Sequence, residues 1–319
     1  MKRFNRRIIA AAALLGGLAL TAPVIAQTAP TKVRFAYIKT TTLIPFFLAN
    51  EKGYFKAEGL DLEMIPVPGG PAVVAAMSGG SADIGYAAIS PVAIARDQGQ
   101  PYKFFIGLEQ EQHPKQLWGS IIASEKSGVK KLADAKGKKV MVAAPGGLCE
   151  LATREWMGSA GLKWTDFQPL HNPPPQMQAA LEVGNADVAC IFEPFFTAAM
   201  ASKANPVVLA QGYLVDPGKP YTVDGVFASD AWIAANGKII EGIKRAVVKA
   251  WGELAKDPVL VKKILTDEFR FPPALIDKLR FDYVAQVGIE ANLIEPITAA
   301  MIKHGMVKPG FKADDIVAK

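Results

Sequence analysis

The chain has 319 residues, half of them apolar, with 36 basic against 30 acidic side chains, three histidines and two cysteines. Lys2, Arg3, Arg6 and Arg7 fall within the first 26 positions and no acid does, leaving 32 basic residues against 30 acidic ones and a formal charge of only +2 beyond that segment. Such a balance makes no case for a nucleic-acid partner, and the length exceeds what one hydrophobic core usually holds, so two lobes are expected.

The opening segment, "MKRFNRRIIAAAALLGGLALTAPVIA", has a basic start and an apolar run from Ile8 to Leu20. It ends on Val24-Ile25-Ala26, small residues where a signal peptidase reads. The run is shorter than the ~20 residues a bilayer span requires, so residues 1–26 are expected to be an export signal cleaved after Ala26. Arg6-Arg7 leaves both the general and the twin-arginine export routes open. No cysteine near Ala26 offers a lipid attachment point. An exported chain without an anchor is expected in a periplasm.

Beyond the signal, "KVRFAYI" (32–38) has the β-branched and aromatic content of a strand. "IPFFLANEKGYFKA" (44–57) follows as a helix, and "GLDLEMIPV" begins a second strand. A helix opens near Pro71, where the missing N–H costs nothing, and closes near Gly80, which accepts a left-handed conformation. "DIGYAAI" is then a third strand, too apolar to be one-sided and suited to a sheet covered on both faces. The same sentence recurs 104 residues later. "KKVMVAA" (138–144), "LCELATREWMGSA" (148–160), "GLKWTDFQPL", a helix near Pro175, Gly184 and "DVACIF" follow in order, with Asp83 falling on Asp187. The order β-α-β-α-β thus occurs twice.

Two stretches read as crossings between the repeats. "GLEQEQHPKQLWGSIIAS" (107–124) enters the second and "GKPYTVDGVFAS" (218–229) returns to the first. The remainder is helical: "KIIEGIKRAVVKAWGELAKD" (238–257) places Ile239, Ile240, Ile243, Val247, Ala250, Trp251 and Leu254 on one face, and helices are expected near 258–268, 273–287 and 291–304. The expected fold is α/β, a two-lobed clam shell whose lobes are doubly wound, mostly parallel sheets, with extra C-terminal helices. Lobe one takes residues 27–121 and 222–319, and lobe two takes 122–221.

Enzyme signatures are missing: there is no G-x-S-x-G, H-E-x-x-H, G-x-G-x-x-G or Walker loop. His113, His171 and His304 have no partner at metal-ligand spacing. Neither catalytic residue, metal nor cofactor is expected. What the repeats do supply is a set of strand ends and helix starts, where open α/β sheets bind ligands. In lobe one these are Lys39, Thr40 and Thr41, then Gly69, Gly70, Pro71 and Ala72, then Ala88 and Ser90. In lobe two they are Gly146, Gly147, Leu148 and Cys149, then Asn172, then Phe192 and Glu193. Lys39 is equally readable as a solvated cation, and Tyr86 and Cys190 are read as core. Cys149 and Cys190 are expected to be two separate buried thiols, with a disulfide as the alternative in an oxidising compartment. Glu193 follows an apolar strand, and serves either as a helix cap or ion-pair partner or as an acceptor for a ligand N–H or O–H.

The stretches "PFFLANEKGYFKAEGLDLEMI", "GGPAVVAAMSGGSADIGYAAISP", "KLADAKGKKVMVA" and "PPPQMQAALEVGNADVACIFEP" resemble, in order and spacing, the periplasmic substrate-binding proteins of ABC importers in the nitrate/sulfonate/taurine branch. That branch includes relatives that bind thiamine-precursor pyrimidines. The resemblance implies a ligand in the interlobe cleft, contacts at the positions just named, a monomer, and an inner-membrane ABC permease as partner. It implies a sulfonate, a taurine-like molecule or a similar small anion. A pyrimidine or other nitrogenous ligand is the alternative, as is presentation to a sensor. One departure stands out: sulfonate binders resemble each other in placing Ser or Thr at the lobe-two helix start, where this chain has Gly147-Leu148-Cys149. Pyrimidine synthases share the fold, but their cysteine-rich stretch has no counterpart here beyond Cys190.

Overall fold

The structure is a computed structural model, and it describes residues 29–279 and 287–318. The expected signal segment and the end of the expected 273–287 helix lie outside the described residues. The first repeat runs β1 (Thr31–Tyr37), α1 (Ile44–Glu51), α2 (Tyr54–Ala57), β2 (Leu60–Pro66), α3 (Gly70–Ser78), β3 (Ile84–Ala88), α4 (Ile89–Asp97) and β4 (Tyr102–Gly107). A short strand β5 (Gln110–Glu111) follows. The second repeat runs β6 (Ser120–Ala123), β7 (Lys139–Val142), α5 (Leu148–Ser159), β8 (Gln168–His171), α6 (Pro174–Val183), β9 (Val188–Ile191), α7 (Phe195–Met200) and β10 (Val207–Gln211). The chain returns through β11 (Tyr221–Thr222) and β12 (Asp224–Ser229). It ends in α8 (Asp230–Ala235), α9 (Gly237–Leu254), α10 (Pro258–Asp267), α11 (Pro273–Ile276) and α12 (Ala291–Lys303).

The strands form two five-stranded sheets, ordered β2-β1-β3-β12-β4 and β8-β7-β9-β6-β10. Each holds four strands running one way and a single reversed strand in the same place, β12 in one and β6 in the other. The reversed strands are the two that cross between the repeats, so each sheet is completed by chain arriving from the other. Strand Ser120–Ala123 belongs wholly to the second sheet, so the expected lobe limit between residues 121 and 122 falls inside it.

The repeated sequence has a repeated bonding pattern. Gly80 and Gly184 both take positive φ, 70° and 79°. Beyond them the Ser81 and Asn185 amides donate to the Ala76 and Ala180 carbonyls, each at 2.9 Å, closing α3 and α6 identically. The Asp83 amide then donates to the Arg34 carbonyl while the Asp83 carboxylate accepts from the Arg34 amide. Asp187 does the same with Lys139. The repeated Ala-Asp is therefore a clasp that fixes the third strand's start against the first, one carboxylate satisfying an amide at each sheet's lower edge.

Strand β9 shows why both faces must be covered. Val188 and Cys190 pack into the main core beneath α5, whereas Ala189 and Ile191 pack into a second core with Met177, Leu181 and Phe196 of α6 and α7. Successive residues of a strand point to opposite faces, so a uniformly apolar run is required. The expected helix over 44–57 is two helices, because Gly53 takes φ 71° and turns the chain between α1 and α2. Helix α9 buries Ile240, Ile243, Val247, Ala250, Trp251 and Leu254 on one face, packed against α1 and α2.

The two thiols expected to be separate are instead joined: Cys149 and Cys190 form a disulfide with Cα atoms 5.4 Å apart. Alternation along β9 turns Cys190 toward α5, and Cys149 lies in the first turn of that helix. Sequence spacing did not reveal which face of the strand α5 would cover.

Two crossings join the sheets, and a fully buried carboxylate ties them together. Strands β5 and β11 pair antiparallel. Glu111 accepts from the Trp118 amide at 2.6 Å, the Gly119 amide at 3.1 Å, the Tyr213 amide at 2.7 Å and the Tyr221 hydroxyl. Burial pushes its carboxyl above the ordinary range, and these donors pull it back. One side chain thus holds the outgoing chain at 118–119 and the returning chain at 213–221. Among the described residues no helix is long and apolar enough to cross a membrane.

Candidate ligand-binding site

A cavity of about 80 Å³ lies between the sheets. Its walls follow one rule. They are residues just past the C-terminal ends of the parallel strands or at the starts of the reversed strands, since all these ends share one edge of each sheet. Thr40–Thr42 follow β1, Pro68–Pro71 follow β2, and Ala88 ends β3; Ala143, Ala144, Gly147, Leu148 and Cys149 follow β7, Pro174 follows β8, and Phe192 and Glu193 follow β9. The remaining polar and aromatic wall comes from Glu109 after β4, Tyr213 after β10, Trp118 before β6 and Asp224 at the start of β12.

Of the residues expected at the site, Thr40, Thr41, Gly69, Gly70, Pro71, Ala88, Gly147, Leu148, Cys149, Phe192 and Glu193 line the cavity. Lys39, Ala72, Ser90, Gly146 and Asn172 do not. The Lys39 ammonium donates to the Glu268 carbonyl and stands 5.6 Å from the Phe269 ring centre, on the C-terminal helices. Ser90 is fully buried inside α4, and its hydroxyl has no partner among the described residues. Gly146 donates to the Glu150 carboxylate at 2.8 Å, and the Asn172 amide donates to the Val142 carbonyl at 3.2 Å. Tyr86, read as core, is buried and also reaches the cavity.

Glu193 is 3% exposed, and both its oxygens accept from Thr197, from the amide at 3.1 Å and from the hydroxyl at 2.9 Å. It therefore caps the first turn of α7 while lining the cavity, so the cap and site readings describe the same side chain. On the opposite wall a chain of bonds leads inward. Thr40 and Tyr86 hydroxyls are 3.0 Å apart, the Tyr86 hydroxyl donates to Asp224 Oδ2, and the Glu109 amide donates to Asp224 Oδ1 at 2.9 Å. Thr42 donates to Glu109 Oε2 at 2.8 Å. Burial pushes the Asp224 carboxyl up to about 6, against the Tyr86 and Glu109 bonds that hold it down. Burial and the nearby acids push Tyr86 and Tyr213 well above the usual tyrosine value.

Three helices point their N-termini at the same space. In α5 the first intrahelical bonds are made by Glu150 and Leu151 to the Gly147 carbonyl, so the Leu148 and Cys149 amides have no partner within the helix. In α3 the Gly70 amide stands likewise ahead of the first bonds, made by Ala72 and Val73. Helix α6 opens on Pro174-Pro175 and contributes its dipole without N–H donors. Two glycines set the walls: a Cβ on Gly70 would lie 2.7 Å from Pro91 Cγ, and one on Gly119 would lie 2.6 Å from the Tyr213 ring. Gly119 thus lets that ring lie flat against the crossing chain.

Residues 26–258 match the NMT1-like family. The chain belongs to that family. It is similar to an aliphatic sulfonates-binding protein of Escherichia coli (strain K12), 30% identical over 237 residues that cover 72% of this chain and 70% of that one. It is also similar to the nitrate/nitrite binding protein NrtA of Nostoc sp. (strain PCC 7120), 26% identical over 266 residues, covering 77% of this chain and 60% of the relative. Its fold matches the alkanesulfonate-binding protein SsuA of Xanthomonas axonopodis pv. citri bound to MOPS, with a TM-score of 0.76 at 21% identity over 90% of this chain and 98% of that one. The expected two-lobed fold of periplasmic binding proteins and the expected family are both borne out.

Proposed function

We propose that the chain is the solute-binding component of an importer, taking a small organic ligand of the sulfonate or taurine-like kind between its two sheets and delivering it to an ABC permease at the inner membrane. The observation that carries this reading is the cavity itself, walled by strand ends and helix N-termini from both sheets. Its work is done in the periplasm as a monomer, after removal of residues 1–26. The functional lobes are those expected as 27–121 with 222–319 and 122–221, with the first limit moved to keep strand Ser120–Ala123 whole in the second, and they move about the β5–β11 crossing that Glu111 holds. An open form admits ligand, and contacts from both walls shift an existing equilibrium toward the closed form that a permease reads. The Leu148, Cys149 and Gly70 amides serve the ligand's anionic end, in place of the hydroxyls that the helix start lacks.

Thermal melting of residues 27–319 with sulfonates, taurine, nitrate, carboxylates, ureides and pyrimidines tests the proposal. A ligand at a hundred times its Kd adds about 2.7 kcal/mol, a rise of roughly 5–10 °C for a chain this size. A panel that leaves the melting temperature unchanged throughout contradicts the reading.

A further inference from the structure

Helix α5 carries two buried acids, and they are satisfied in different ways. Glu150 is paired locally: its carboxylate accepts from the Gly146 amide at 2.8 Å and from the Arg154 guanidinium at 2.6 and 2.8 Å. Glu155 reaches away from its own helix. Its Oε1 accepts from the Lys303 ammonium at 2.7 Å and lies 2.6 Å from His304 Nε2. Among the described residues those two groups are its side-chain partners, and both come from the end of α12. That helix packs against α4 of the first repeat and β11 of the crossing, whereas α5 packs on β7 and β9 of the second sheet. The His304 ring also lies over Gly158 of α5, where an added Cβ would come to 3.8 Å of it. Glu155 is only 6% exposed, so a desolvated carboxylate on the second sheet's helix draws both partners from chain packed outside that sheet.

A buried carboxylate separated from its partners is costly until water reaches it, so the contact favours the arrangement seen here, in which α5 and α12 meet. Beside it runs a cleft of about 290 Å³, lined by Arg154, Lys163, Trp164 and Phe167 on one side and by Lys303 and His304 on the other. Parting the two helices widens this cleft and exchanges protein partners for water at Glu155. We propose that Glu155, Lys303 and His304 form an interlobe latch that sets how much of the protein is closed before any ligand arrives. This rests on the binding-protein reading and adds a control to it. Glu155 lies seven residues beyond Leu148 in α5, about 10 Å along the same helix, so α5 carries the latch and the ligand wall as one body. When only a fraction of a protein is competent to bind, the apparent Kd is the intrinsic Kd divided by that fraction. Loosening the latch therefore weakens every ligand by one common factor and leaves their order unchanged, although Glu155 does not line the cavity.

Small-angle X-ray scattering of residues 27–319 without ligand, set beside Glu155→Gln and the double variant Lys303→Ala/His304→Ala, tests the latch. Both variants are expected to have a larger radius of gyration than the wild type. Saturation with the panel compound that most raises the melting temperature is expected to bring all three proteins to one radius. Calorimetry with the two most stabilising compounds is expected to show both Kd values raised by the same factor, at least about 5-fold. Melting curves show that each variant folds. The double variant, whose lysine side chain is 64% exposed, carries the test if Glu155→Gln fails to fold. An unchanged radius in folded variants overturns the inference. Unequal factors for the two compounds also overturn it, because the contact then shapes the cavity instead of the closure. If no compound stabilises the wild type, the binding-protein reading falls, while the ligand-free radii still decide whether this contact holds α5 to α12.

Discussion

Asp224→Asn makes the cost of a buried carboxylate at the cavity wall measurable in the empty protein. Asp224 sits at the start of β12, hydrogen-bonded to Tyr86 and to the Glu109 amide, and burial raises its carboxyl from an ordinary 3.8 to about 6. At 1.36 kcal/mol per pH unit that gap is worth about 3 kcal/mol. The folded chain holds the proton more tightly than the unfolded one, so the stabilising contribution is complete below pH 3.8 and is lost as pH rises through 6. The unliganded protein is therefore more stable near pH 5 than at pH 8. Asn never ionises, so the variant loses this part of the slope. At pH 8 it gains up to about 3 kcal/mol, less about 1 kcal/mol for the altered acceptor, a net rise of roughly 4–8 °C. Glu109, Tyr86 and Tyr213 face Asp224, and the buried Glu111 adds a slope of the same sign. All four stay in the variant, so the difference between the two proteins reports Asp224 together with the neighbour whose titration it shares. Melting curves from pH 4.5 to 8.5 supply the data. Parallel slopes for the two proteins refute the reasoning.

Reducing the Cys149–Cys190 bond, or replacing both cysteines by serine, removes a 41-residue cross-link. A loss of about 2–4 kcal/mol in denaturant unfolding is expected, with weaker ligand binding because Cys149 lines the cavity. Glu111→Gln turns two donors toward a site already crowded with them, and a loss of about 2–4 kcal/mol is expected from chemical denaturation. Gly70→Ala drives a methyl to within 2.7 Å of Pro91. It should cost about 1–3 kcal/mol of stability and reduce ligand affinity in calorimetry, because the start of α3 is displaced.

The parts of the site that were legible in the sequence are those the repeat announces twice. Gly80 and Gly184, Asp83 and Asp187, and the proline-led helices fixed the two βαβαβ units, and with them the loops of Thr40, Gly69, Gly147 and Phe192. The acid wall was not legible. Glu109, Trp118, Tyr213 and Asp224 come from the fourth strands and the two reversed strands, whose place is set by pairing across distant chain. Asp224 had a signal of its own, a lone acid opening the apolar strand "DGVFAS", but only its position between β3 and β4 shows that it is buried beside Glu109. The disulfide needed the same kind of fact, the face of β9 that α5 covers.

The most direct test of the account is a crystal structure of residues 27–319 with the panel compound that most raises its melting temperature. The account predicts ligand density between the two sheets, touching the Leu148 or Cys149 amide on one wall and Thr40 or Gly70 on the other. A ligand bound outside the cavity, or held by one wall alone, contradicts it.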